Sequence, residues 1–199
     1  MTPPPGEWIL ASTNQGKLAE YRALLAGAPV RLRALGPDAG MPEETASTFV
    51  ENALIKARHA ARVSGMPALA DDSGLTVDAL GGAPGVRSAR YAGDGASDRA
   101  NLERLLGEMA GIAPDRRQAA FHCVIVALET ADDPVPVIAA GRWAGRIATA
   151  PSGVNGFGYD PVFFDPGLGR TAAELAPGQK NAVSHRSRAC AELRHLLGW

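Results

Sequence analysis

Trp8-Ile-Leu-Ala-Ser-Thr-Asn-Gln-Gly-Lys17, followed by Leu18, Tyr21, Leu24 and Leu25, decides the fold class. The apolar Trp8–Ala11 run reads as a short buried strand, and the leucines and tyrosine after Lys17 recur at helical spacing. Strand, small polar loop, helix is an arrangement that presents helix N-terminal amides to an anion. The same alternation continues along the chain. Val30 to Leu35 reads as a second strand, and Thr48-Phe-Val-Glu51 is a capping box opening a helix to about Ser64. Pro67-Ala-Leu-Ala70 forms a brief strand that delivers Asp71-Asp72-Ser73-Gly74. A helix is expected over Ser97 to Met109, a central strand over Ala119 to Leu128, and two strands over Val135 to Ile138 and Trp143 to Ala148, parted by Gly141. Val162 to Phe164 makes a last short strand and Ser184 to Leu197 a C-terminal helix. Interleaved helices and strands predict an α/β protein with a mixed sheet.

Composition narrows the function. The 199 residues fit one globular domain, residues 8–199, after a Pro-rich lead-in over residues 1–7 that is expected to be disordered. Hydrophobic residues at 46% suffice for a sizeable core, and a formal net charge of −1 offers no basic field for nucleic acid. Cys123 and Cys190 read as reduced packing residues. No apolar stretch approaches the ~20 residues of a membrane span. The N-terminus lacks the regions of a secretory signal, so a cytoplasmic location is expected.

Several segments carry chemistry, most with a plainer alternative. Ser12, Thr13, Asn14, Gln15, Gly16 and Lys17 form either a phosphate cradle with a mobile cation or an N-cap at Asn14 followed by a solvated lysine. Asp71-Asp72 at a strand's end repel one another unless solvated, hydrogen-bonded or metal-bound; the other reading is an Asx turn. Glu43-Glu44 complements a helix dipole or supplies a second ligand to a metal held by Asp72, and Lys56, on the helix that follows, reads as a solvated residue. The glycine-rich Pro151–Asp160 loop and the Lys180-Asn-Ala-Val-Ser-His-Arg186 cluster together suit a nucleotide. There Phe157 or Tyr159 would stack on a base, Asp160 would accept from ring N–H groups or hold the loop, and His185 and Arg186 would donate to a purine oxygen. Neither a Walker A loop nor a G-x-G-x-x-G after a strand is present.

In order along nearly the whole chain, the segments Ala11–Lys17, Thr48–Ala57, Ala70–Leu75, Leu80–Gly85, Gly156–Pro161 and Lys180–Arg186 resemble the inosine/xanthosine triphosphate pyrophosphatases. The resemblance implies an elongated, twisted mixed sheet flanked by helices, with two lobes and a central cleft, in a homodimer. It implies hydrolysis of non-canonical purine nucleoside triphosphates (dITP/ITP and XTP) to a monophosphate and pyrophosphate, with Mg²⁺ as cofactor. By position, Ser12 to Lys17 and Lys56 would contact phosphates, Glu44 and Asp72 would hold the metal, and Asp72 would be the base. Ser73 would touch substrate, and Phe157, Gly158, Tyr159, Asp160, Lys180, His185 and Arg186 would form the base pocket. A pyrimidine triphosphate pyrophosphatase and a non-catalytic nucleotide-binding regulator are the competing readings.

Overall fold

The computed structural model describes residues 6–13 and 15–199. Seven strands form one mixed sheet in the order β2-β1-β3-β4-β5-β6-β7. They are β1 (Gly6–Leu10), β2 (Val30–Ala34), β3 (Ala68–Val77), β4 (Gln118–Leu128), β5 (Val137–Ile147), β6 (Phe163–Asp165) and β7 (Arg170–Thr171). β1 pairs in parallel with both β2 and β3, whereas β5–β6 and β6–β7 are antiparallel. The helices are α1 (Gln15–Leu24), α2 (Phe49–Ser64), α3 (Asp98–Glu108), α4 (Pro177–Val183) and α5 (His185–Leu197). The α/β class and the mixed sheet expected from the sequence are therefore observed.

The chain divides into two compact units. The first comprises Met1–Asp72, Cys123–Gly141 and Arg186–Trp199; the second comprises Ser73–His122 and Arg142–His185. One core of the first unit gathers Trp8, Leu10, Tyr21, Leu69, Ile125 and Leu193. A second core there is built from small residues, with Ala53, Ala57, Ala60 and Ala61 of α2 against Ile9, Ala70 and Val126. The second unit has its own core around Leu75, Leu105, Trp143, Tyr159 and Phe163. Burying each large apolar side chain contributes ~1.5–3 kcal/mol, which opposes the entropy of ordering the chain.

Local chemistry explains the elements that position functional groups. Thr48 caps α2: its hydroxyl oxygen accepts from the Glu51 amide and donates to the Glu51 carboxylate. Gly65, at φ 67°, closes the same helix with its amide on Ala61 O. The alanine face lets α2 lie close to the sheet. Asn52 and Lys56, four residues apart on that face, are therefore buried with it.

Several sequence expectations need correction. β1 begins at Gly6, so Gly6 and Glu7 of the expected lead-in belong to the sheet; residues 1–5 lie outside the described residues. Asp71-Asp72-Ser73-Gly74 does not end a strand but lies within the ten-residue β3. The two strands expected around Gly141 are one continuous β5. Its second glycine, Gly145, is a packing site. A Cβ there would stand 2.6 Å from both the Phe163 ring and the Phe164 carbonyl oxygen, so β6 can approach only a glycine. The sequence reading missed α4, whose seven residues carry no apolar periodicity, and the two-residue β7.

Candidate functional site

In the first unit, β3 sets two carboxylates side by side, and alternation along the strand sends them to different partners. Asp71 Oδ1 lies 2.5 Å from Lys17 Nζ, and Asp71 Oδ2 lies 3.8 Å from Arg186 Nε. Arg186 also reaches Glu20 Oε2 at 2.6 Å and lies 5.8 Å from the centre of the Tyr21 ring. Burial would push the Asp71 carboxyl up, yet Lys17 and Arg186 outweigh it and hold the group well below the usual carboxylate range.

Asp72 faces α2. Its Oδ2 accepts from Asn52 Nδ2 at 3.2 Å, and its Oδ1 lies 3.1 Å from Lys56 Nζ. The same ammonium lies 2.6 Å from Glu44 Oε1. Burial pushes the Asp72 carboxyl above its ordinary value. Lys56 and Asn52 oppose that rise and Glu44 adds to it, leaving a net upward shift. Burial also opposes the charge on Lys56, but Asp72 and Glu44 reverse this and raise its affinity for the proton. Adjacent aspartates thus have opposite proton affinities because each faces a different set of charges. Ser12 is buried at the end of β1, while Thr13, Gln15 and Gly16 are exposed. Asn14, the proposed cap, lies outside the described residues.

In the second unit the loop over residues 151–160 is fastened by its backbone. The Val154 and Asn155 amides both donate to Ala173 O, at 3.1 and 3.0 Å. Ser152 Oγ donates to Glu174 Oε1 at 2.8 Å, and Thr171 Oγ1 donates to Ser152 O at 2.8 Å. Gly156, at φ 74°, has the Asp160 carboxylate where a Cβ would stand. Buried Asp160 accepts from the Phe157 amide at 2.9 Å and pairs with Lys180. Its contacts fit the loop-holding role among those weighed from the sequence. The Lys180 ammonium lies 5.0 Å from the centre of the Phe157 ring. Phe157 is 60% exposed, whereas Tyr159 is buried with its hydroxyl donating to Ser88 O. Of the two aromatics, only Phe157 offers a face to a ligand. Ser73 is half-buried. His185, at the start of α5, stacks on Phe121 at 4.9 Å.

The structure therefore brings Lys17, Lys56, Glu44, Asp72 and Arg186 together in one unit, and Phe157 to Asp160, Lys180 and His185 in the other. Arg186, expected with the base pocket, has its described partners Glu20, Asp71 and Tyr21 in the first unit. Sequence reasoning missed Asn52 and the separate role of Asp71. The i, i+4 spacing of Asn52 and Lys56 was the available signal for the first. Nothing local could show that Asp71 meets Lys17 and Arg186. Among the described residues, no group of three or more His, Cys, Asp or Glu stands together as a metal-binding cluster. No helix among them is long and apolar enough to cross a membrane.

Comparison with known proteins gives the family. The chain is 56% identical over 191 residues to a dITP/XTP pyrophosphatase of Xanthomonas oryzae, covering 95% of this chain and 96% of that one. It is 56% identical over 184 residues to a dITP/XTP pyrophosphatase of Photorhabdus laumondii, covering 91% and 92%. The solved HAM1 protein of Coxiella burnetii superposes with a TM-score of 0.91 at 50% identity, over 96% of this chain and 98% of that one. A nucleoside-triphosphatase (dITP/XTP pyrophosphatase) of Mycobacterium abscessus gives a TM-score of 0.77 at 47% identity, over 94% and 98%. A sequence model described as the Ham1 family matches residues 8–196. With the match running from the first core strand through nearly all of α5, the chain belongs to the Ham1 family.

Proposed function

We propose that this chain hydrolyses non-canonical purine nucleoside triphosphates, dITP/ITP and XTP, to the monophosphate and pyrophosphate, so removing them from the nucleotide pool. The observation that carries the reading is Asp72: a buried carboxylate with a raised proton affinity, fixed by Asn52 and Lys56. A carboxylate held in place by Asn52 and Lys56 can serve as general base for an attacking water. In the proposed reaction a water oxygen bonds to phosphorus while its proton passes to Asp72. The α–β anhydride bond breaks and pyrophosphate departs. Lys17 and Lys56 offset the charge growing on the leaving group.

The residues present suit a hard divalent cation. Glu44 and Asp72 already converge on one positive charge, the Lys56 ammonium, and both offer only oxygen. Mg²⁺ takes a few carboxylates while keeping waters and substrate phosphates as its other ligands. When bound there, Mg²⁺ would neutralise phosphate oxygens.

Discrimination falls to the second unit. Phe157 offers a stacking face, and Lys180 is a donor beside it. Hypoxanthine and xanthine carry an oxygen at the six-position, where adenine carries an amino group. A donor facing that position leaves adenine unmatched, and such mismatches cost up to ~10⁴–10⁵-fold. His185 is assigned to base recognition in this reading, with Ser12 to Lys17 and Ser73 contacting the phosphates and sugar side; Arg186, expected in the base pocket, instead holds Asp71 and Glu20 in the charged cluster. A homodimer acting in the cytoplasm completes the proposal, the dimer being testable by light scattering.

Initial rates with ITP, dITP, XTP, ATP, GTP, CTP and UTP test it. The reading expects the first three to dominate. Preference for CTP or UTP would overturn the purine assignment, and tight calorimetric binding without turnover would make the protein a nucleotide-binding regulator.

A further inference from the structure

The contacts around Phe157 extend past the segments already assigned to the base. Two consecutive backbone amides flank its Cα. The Phe157 amide donates to the buried Asp160 carboxylate. The next amide, Gly158 N–H, donates at 2.8 Å to Asp98 Oδ2, sixty residues earlier in the chain. A residue's φ and ψ are set by the peptide planes on either side of it. Holding both planes fixes the direction of the Phe157 Cα–Cβ bond, and so where its ring can point. Asp160 holds the inner plane and is itself neutralised by Lys180. Asp98 holds the outer one.

Asp98 is well suited to this. It is the first residue of α3, directly after the Ser97 cap, whose side chain accepts from the Ala100 amide. Its backbone is thereby anchored, and its charge is favoured by the helix dipole. The inner part of the loop needs no such help, because the Val154 and Asn155 amides are already bonded to Ala173 O. Gly158 adopts φ 61°, a conformation that an L side chain rarely takes, and no heavy atom lies within 4 Å of where its Cβ would be. The glycine thus answers a backbone demand rather than a packing one.

We infer that Asp98 is a positioning residue for base recognition: by clamping the Gly158 amide it orients the Phe157 ring against the nucleotide's base. The inference rests on the proposed nucleotide function for its kinetic consequence, but not for its structural one.

The test uses Asp98→Ala and Asp98→Asn in the full chain. Both remove the charge at the start of α3, but only asparagine keeps an oxygen that can accept from Gly158 N–H. Asp98→Ala is expected to raise KM for ITP roughly threefold to tenfold, the worth of one net hydrogen bond. Turnover at saturation stays within about twofold. Asp98→Asn is expected to recover most of the loss. In a Phe157→Ala background, Asp98→Ala is expected to add nothing, because the ring through which it acts is gone. Full additivity there, or equal KM in Asp98→Ala and the unaltered protein, would overturn the inference. Hydrogen exchange at Gly158 provides an arm that needs no activity: it is expected to accelerate in Asp98→Ala and not in Asp98→Asn. Unchanged exchange in Asp98→Ala sinks the clamp. An unaltered protein that leaves ITP intact sinks the proposed function instead, and exchange then decides the clamp alone.

Discussion

The charged cluster of the first unit and the glycine loop of the second are built on opposite plans. Around Asp71 and Asp72, side chains hold side chains: Lys17, Lys56 and Arg186 each sit against carboxylates, and proton affinities move as a result. Around Phe157, carboxylates and carbonyls hold backbone amides, and glycines admit the close approach. The first plan suits chemistry on a polyanion, where charge must be redistributed. The second suits recognition of a flat ring, where shape must be kept. Perturbing one plan should therefore change turnover, and perturbing the other should change which nucleotide is accepted.

The largest expected effect tests that division at its strongest point. Asp72→Asn keeps the size of the side chain but offers one acceptor oxygen in place of two and cannot take a proton, so kcat should fall by ~10²–10⁴-fold with circular dichroism unchanged. Near-normal turnover would remove Asp72 from the chemistry. Next in size is Lys180→Ala, which removes a charged donor beside Phe157 and leaves Asp160 buried without its counter-charge. The preference for ITP over ATP should narrow by roughly tenfold to a hundredfold, the scale of a hydrogen bond to a charged group. An unchanged ratio of kcat/KM values would dismiss the assignment. Gly156→Ala should lower stability by ~1–3 kcal/mol, since φ is 74° and the Asp160 carboxylate occupies the Cβ position. Thermal denaturation reads this, and an unshifted midpoint would show that the loop accommodates the methyl group.

A further effect concerns pH. The Asp71 carboxyl titrates lower in the folded protein than in the unfolded chain. Its contribution to stability is therefore fully present above the unfolded value of ~3.9 and is lost as pH falls through and below it. In chelator, acid should destabilise the unaltered protein more steeply than Asp71→Asn. Identical slopes would mean that Lys17 and Arg186 do not stabilise that charge.

What the sequence showed and what it hid follow from the same contrast. The α2 cap was legible because Thr48 and Glu51 lie three residues apart. The α1 face was legible from Leu18 and Tyr21, both buried as their spacing required. The Asp71–Gly74 stretch reads as a turn by residue type, yet tertiary pairing draws it into β3. Gly141 looked like a separator and is instead spanned by β5. Within the site, acidic and basic side chains announced themselves by type, but their partners did not. Asp71 with Arg186 and Asp98 with Gly158 are separated by more than half a hundred residues, and only the folded chain brings them together. The loop's fastening to Ala173 and Glu174 was hidden for the same reason.

The most direct test of the proposed hydrolysis is phosphorus NMR of ITP incubated with the protein and Mg²⁺. The account predicts inosine monophosphate and pyrophosphate as the only first products, with Asp72→Asn yielding neither over the same time. Inosine diphosphate and orthophosphate would contradict it, because the bond cleaved would then not be the one between the α- and β-phosphates.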